Sequence, residues 1–362
     1  MNRSLLILFF LSGLTLVTVR PMAQYRATTY KDSVTSLLRV SEDNDGINIF
    51  FQSTDDAYTN GTRLDYFYKP GRRLHGLLGR WAPGAGEGSV DIYSWGLMQL
   101  MYTPNDMSQT VYQPNDYPYS GALVATHTRY SYNPVKKYDL QTEVVMGALG
   151  PLSLAHQTQS LVHRLTGFNQ PMGWGTQFHN ALLLNVNLTA EKQIAAAGQF
   201  LRIIGGGQVY AGTMQNGVAI YPLILIGKMN PYFDGLFSQY TSPGRDEQGR
   251  KKWQFYFLAK PELQFYLTNA LLEGGIFTTN PNKKSSDNKN IPQPVSTGYS
   301  QQPPPPPPPS IPSLQRLVSS FSYGGVLSHG GFAISFVQNV SSTTLKGLYC
   351  HDFGNVSLYF GW

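Results

Sequence analysis

From Ser36 onward the chain keeps returning to one pattern, apolar and polar side chains exchanging at every second residue. Leu182, Leu184, Val186 and Leu188 fall on one face, and Asn185, Asn187 and Thr189 on the other. Leu64, Tyr66 and Tyr68 oppose Arg63 and Asp65, and at the end Val356, Leu358, Phe360 and Trp362 alternate with Asn355, Ser357, Tyr359 and Gly361. Period two marks strands whose two faces meet different surroundings. Such segments lie near 36–45, 59–69, 89–102, 119–133, 137–149, 180–195, 199–214, 217–229, 252–270, 313–328, 331–341 and 353–362. A soluble sandwich shows the same alternation. The terminal aromatic residue and the Tyr and Trp near strand ends point instead to a membrane barrel, which also leaves no open sheet edge. The expected fold class is all-β, a transmembrane antiparallel β-barrel of about 12 strands, an even number as such barrels require.

Composition adds an address. Residues 4–19, SLLILFFLSGLTLVTV, follow Arg3 and lead to Ala23, so 1–24 reads as a secretory signal peptide and 25–362 as the barrel. Losing Arg3 and Arg20 with it leaves 25 basic against 21 acidic residues, too mild an excess to argue for nucleic acid. Beyond residue 24 no apolar run is long enough for a transmembrane helix. Cys350 is the sole cysteine, so no internal disulfide forms, and a small packed residue is its plain reading. With both barrel ends in the periplasm, connections after odd strands face outward and those after even strands inward. The inward segments 70–88 and 230–251 are then longer than the usual periplasmic turn. Residues 280–312 form a low-complexity, Pro-rich outward loop. The seven prolines at 303–309 read as a stiff spacer, a polyproline II rod of about 22 Å at ~3.1 Å per residue.

Two places carry chemistry. The stretch Val40 to Lys69 reads as a hairpin whose connection gathers Asn44, Asp45, Asp55, Asp56, Thr59 and Asn60. So many oxygens suit a hard cation, and they equally suit a solvated loop. The second place follows Gly150-Pro151, where Leu152 to Leu165 reads as an extracellular helix (near 152–166) with Ser153 as N-cap and Gly167 as stop. Leu154, Leu161 and Leu165 fall within about 40° of one another, and His156, Gln159 and His163 cluster opposite within about 60°. The leucine side is expected to carry the packing. Histidine is the side chain best suited to take a proton near neutral pH. A zinc pair of His156 and His163 lacks the HExxH pattern and a third ligand, and G-x-S-x-G is absent, which disfavours an elbow-type serine hydrolase.

The ordered set E-D-N-D (42–45), D-D-A-Y-T-N-G (55–61), M-Y-T-P (101–104), N-D-Y-P-Y-S-G (115–121), G-A-L-G-P (147–151) and Q-S-L-V-H-R-L-T-G (159–167), then Gly173-Trp174, resembles the outer-membrane lipid A 3′-O-deacylases of the LpxR type. The matching pieces span about residues 36–180, and the remainder matches in pattern only. The resemblance implies a twelve-stranded barrel in the outer membrane of a Gram-negative bacterium. It also implies an active site between the wall and an extracellular helix, Ca²⁺ dependence, and hydrolysis of the acyloxyacyl ester at the 3′-position of lipid A. By position the family's Asn-Asp pair falls on Asn44 and Asp45, its strand-start threonine on Thr59, and its helix glutamine and histidine on Gln159 and His163. His163 would be the general base and Asp45 the metal ligand. The expected partner is lipid A of lipopolysaccharide, met by a monomer.

The chain departs from the pattern in three places. No Lys or Arg occurs between Arg80 and Arg129, where the family's site lysine would fall; Asn169 stands where a glutamate is expected; Tyr117 stands where arginine is common. The alternatives are an inactive or non-enzymatic barrel serving as pore or scaffold, and a phospholipase-like outer-membrane esterase.

Overall fold

The computed structural model describes residues 34–48, 57–70, 77–242, 252–275 and 312–362. The expected signal segment, Asp55, Asp56 and the proline-rich stretch up to residue 311 lie outside the described residues. Twelve strands follow in order: β1 (Ser36–Asn44), β2 (Ala57–Tyr68), β3 (Val90–Thr103), β4 (Ser120–Asn133), β5 (Tyr138–Leu149), β6 (Ala181–Ala197), β7 (Leu201–Gly212), β8 (Gln215–Lys228), β9 (Trp253–Asn269), β10 (Leu317–His329), β11 (Phe332–Ser341) and β12 (His351–Gly361). They close into one barrel in which each strand pairs with its chain neighbours and β12 returns to β1. That seam runs antiparallel from Leu37 opposite Gly361 to Asn44 opposite Gly354. Every boundary lies within four residues of the one expected from the alternation. Four short helices accompany the strands among the described residues: α1 (Leu77–Trp81), α2 (Ala155–Thr166), α3 (Leu236–Tyr240) and α4 (Ala270–Glu273). None of them is long and apolar enough to cross a membrane.

The alternation sorts as a membrane barrel requires. Leu64, Tyr66, Leu97, Leu182, Leu184 and Phe360 are exposed on the outer wall, while their neighbours Asp65, Leu183, Asn185 and Tyr359 are buried inside. Within the lumen Asp65 accepts from Arg39 at 2.6 Å and from Arg63 at 2.9 Å, and Arg63 reaches Glu143 at 3.0 Å. Charges held away from bulk water need this mutual satisfaction.

The long inward connection after β8 has a use. Its helical turn Tyr232–Asp234 and α3 fold back into the inner end of the lumen. There Phe233, Leu236 and Phe237 join one apolar cluster with Leu37, Phe67, Ile92, Leu225 and Tyr359 from strands on all sides. Gln254 pins the segment by donating to the carbonyls of Ser238 (3.1 Å) and Thr241 (2.8 Å). A plug of this kind argues against an open channel.

Candidate functional site

Register places the two chemical regions on the same wall. Directly opposed residues of an antiparallel pair share a face. In β3 and β4 the exposed Trp95 and Leu97 oppose His127 and Ala125, so Gln99 opposite Leu123 and Met101 opposite Gly121 also face outward. In β1 and β2 the exposed Val40 and Leu64 are opposed, so the pairs Glu42–Thr62 and Asn44–Asn60 face outward too. The outer end of β1–β4 therefore carries a polar strip on an otherwise apolar outer wall. Thr62 donates to the Glu42 carboxylate at 2.7 Å, and Asn60 donates to its other oxygen.

Thr59 sits at a break in register between β2 and β3, with Tyr58 still opposite Tyr102 while Asn60 has moved to Met101. A bulge of this sort re-aims a side chain at a sheet rim. The Thr59 hydroxyl meets that of Thr103 at 2.5 Å, and the Thr59 carbonyl accepts from the Asn44 amide at 3.4 Å. Ala57 enters the strand at φ 62°, a conformation that costs a non-glycine residue energy and is held here by a fully buried setting. Asp45 is 1% exposed, and the Gly46 amide donates to both Asp45 (2.9 Å) and Asn44 (2.8 Å).

The helix α2 lies against this wall with the opposite face from the one expected. Its buried residues are Ala155, Gln159 and His163, whereas Leu154, Leu161 and Leu165 are exposed. The expectation assumed water on the free side. The docked face instead meets Gly121, which only the small Ala155 can approach closely, and the Trp174 indole, from which Gln159 accepts, so the polar residues turn toward the protein and the leucines turn out. Ser153 is not the N-cap. Gly150-Pro151 opens a tight turn, Pro151–Ser153, and the cap is Leu154 at φ 58° with no side-chain bond. The Ser153 hydroxyl instead accepts from the Ala155 amide at 3.3 Å beside Gly121. Gly167 does end the helix, at φ 81°. Close docking depends on Gly121, where a Cβ would come within 2.4 Å of the Ala155 Cβ and the Ser153 Oγ.

Under the helix, the Nδ1 of His163 lies 2.6 Å from the backbone carbonyl of Asn169. A carbonyl can only accept, so Nδ1 carries the proton and the lone pair belongs to Nε2. Asn169 thus meets His163 through its main chain. Gln159 accepts from the indole of Trp174 at 2.7 Å and donates toward the Met107 sulfur at 3.4 Å. Met107 belongs to the loop that continues from Thr103, which ties the helix residues to the Thr59 corner. Burial pushes the Tyr119 phenol up to about 12, so it stays a neutral donor, aimed at the Met107 carbonyl (3.4 Å). His156 is exposed and lies along Trp174 with centroids 6.1 Å apart. Glu42, Trp174, Thr103 and the Asn169 carbonyl are contributions that sequence reasoning did not assign. The motif pieces E-D-N-D, M-Y-T-P and Gly173-Trp174 held three of them.

The Asp45 carboxylate and the Asn44 amide oxygen, joined through the Gly46 amide, are of the donor type a hard divalent ion prefers. Among the described residues no group of three or more His, Cys, Asp or Glu is placed to hold a metal, around Asp45 or around His156 and His163. Trp174→Phe should leave the Gln159 amide oxygen without its indole partner, a cost of about 1–3 kcal/mol for a buried acceptor. Hydrogen exchange across 155–169 is expected to quicken while the barrel strands keep their protection; unchanged exchange would show that the indole is not what anchors the helix.

The family model described as outer membrane protein LpxR matches residues 8–362. Among solved structures, LpxR from Salmonella typhimurium superposes with a TM-score of 0.65 at 15% identity, covering 90% of this chain and 100% of that one. The beta domain of the Bordetella autotransporter Brka aligns with a TM-score of 0.42 at 8% identity, over 91% and 99% of the two chains. No curated protein matches. The fold is that of the Salmonella barrel, and the family match extends over nearly the whole sequence, so the chain belongs to the LpxR family of outer-membrane proteins.

Proposed function

We propose that this outer-membrane barrel is a lipid A deacylase, an esterase that removes the 3′-linked acyloxyacyl group of lipid A from lipopolysaccharide, acting as a monomer. One observation carries the reading. A polar strip at the outer end of β1 and β2 shares its wall with a helix, docked on β3 and β4, that turns a histidine and a glutamine toward that wall. A passive pore has no use for such an arrangement, and its lumen would not be plugged.

His163 acts as general base. The Asn169 carbonyl holds its imidazole in the tautomer whose Nε2 takes a proton from water as that water attacks the ester carbonyl. Gln159, fixed by Trp174, keeps the helix face in place beside it. Asn44 and Thr59 orient substrate or water at the opposing rim. Asp45, with neighbouring neutral oxygens, would hold Ca²⁺, and the bound ion would supply Lewis-acid stabilisation of charge developing on the ester oxygen. A substrate that is itself an outer-leaflet lipid reaches a site on the outer wall by moving sideways, without passing through the lumen.

Mass spectrometry of lipid A and phospholipids from cells with and without the gene tests the reading. Loss of the mass of the 3′ acyloxyacyl group is the expected result. Cleaved glycerophospholipid with intact lipid A would favour the phospholipase-like alternative. No change in either would mark an inactive relative, consistent with the stretch from Trp81 to Thr128 holding neither Lys nor Arg.

A further inference from the structure

The exposed side of α2 is not one surface. Taking Gln159 as the direction of the barrel wall, Ala155 and His163 lie within about 40° of it at ~100° per residue. Leu154, Leu161 and Leu165 then fall about 120–160° away on one flank, and Ser160, Arg164 and Gln157 about 100–160° away on the other. The three leucines are 50%, 54% and 77% exposed, a large amount of apolar surface for a helix end to offer to water. Gln157 and Arg164 are exposed as well. An attachment face, an apolar flank and a polar flank together make the pattern of a helix lying in a membrane boundary.

Position says what covers the apolar flank. The helix sits on Met101 and Gly121, whose side of β3 and β4 continues inward as the exposed Leu97 and Trp95 of the lipid-facing wall. The turn before the helix is tied to the start of β6 by the Leu152 amide donating to Asn180 at 2.9 Å. Two residues on, Leu182 begins the exposed apolar row of that strand. The leucine flank is thus continuous with a surface that hydrocarbon covers.

We propose that α2 is an interfacial helix, its Leu154–Leu161–Leu165 flank seated among the acyl chains of the outer leaflet and its Ser160–Arg164–Gln157 flank among headgroups. The proposal rests on the outer-membrane location and not on the esterase reading, so either can fail alone. It makes α2 a wall between the bulk acyl layer and the buried His163.

The test places an NBD-labelled cysteine at Leu161→Cys, Leu165→Cys or Gln157→Cys in full-length protein carrying Cys350→Ser, reconstituted in phosphatidylcholine nanodiscs. Met146→Cys on the exposed wall and Asn115→Cys in an outer loop are references. Nitroxide on the lipid acyl chain should quench labels at 161 and 165 as strongly as at 146, while aqueous iodide should reach them several-fold less than at 115. The label at 157 should behave as at 115. Iodide access at 161 and 165 equal to that at 115 overturns the proposal, and so does acyl-chain quenching at 157 equal to that at 146. A second measurement needs no substitution. An acyl-chain diazirine lipid should label residues 152–172 of the unmodified protein, and adducts confined to the strands would count against the proposal.

Discussion

His163→Gln is expected to lower the rate of lipid A ester cleavage about 10²–10⁴-fold, the contribution of a positioned base, while the barrel stays folded. The side chain is 5% exposed beneath α2, so His163→Ala would also open a cavity and mix packing with chemistry. Glutamine keeps most of the volume, and its amide can still donate to the Asn169 carbonyl, so its effect reports the missing base. His156→Ala should cost only a few-fold, because that ring is exposed along Trp174. The measurement is turnover of purified, folded variants on lipid A in detergent with excess Ca²⁺. Wild-type turnover by His163→Gln, or a dead His156 variant beside an active His163 one, would reassign the base.

Asp45→Asn is expected to cost on the order of 10²-fold or more, and a calcium chelator should do the same to the unmodified protein. A Lewis acid at a developing oxyanion is worth several kcal/mol, and each ~1.4 kcal/mol is tenfold in rate. Asparagine preserves the size of a side chain that is 1% exposed and removes only its charge, so packing alone should change little. Ca²⁺ should restore the chelated protein where Zn²⁺ does not, given a donor set of oxygens. Calorimetric titration with Ca²⁺ should show a binding heat for the unmodified protein and none for Asp45→Asn. Full turnover in chelator would remove the ion from the mechanism and leave His163 to be judged separately.

The strands were legible because period two needs only two unlike faces, and lipid outside with a polar lumen inside provides them. Parity then correctly sent Asn44, Thr59, Thr103 and α2 to one end. The orientation of α2 was not legible. Its sequence has a leucine stripe and a His/Gln stripe, and the partners that choose between them, Gly121 and Trp174, lie outside the helix. Backbone contributions were invisible for another reason. The Asn169 carbonyl that fixes the His163 tautomer is common to every residue type, so no side chain announces it. The bulge that aims Thr59 and the left-handed Ala57 have no dedicated glycine to announce them. The plug showed only as an inner connection of unusual length.

That plug also bears on how the cylinder is shut. Eleven of the twelve strand pairs join neighbours in the chain, but β1 and β12 meet across almost its full length and bear the largest entropic cost of ring closure. Phe237 and its neighbours share one cluster with Leu37 of β1 and Tyr359 of β12, and Tyr240 stacks on Tyr359 with centroids 4.0 Å apart. The same residues that stopper the lumen therefore grip both sides of its longest-range join, an internal clasp at the end where β1 begins and β12 finishes.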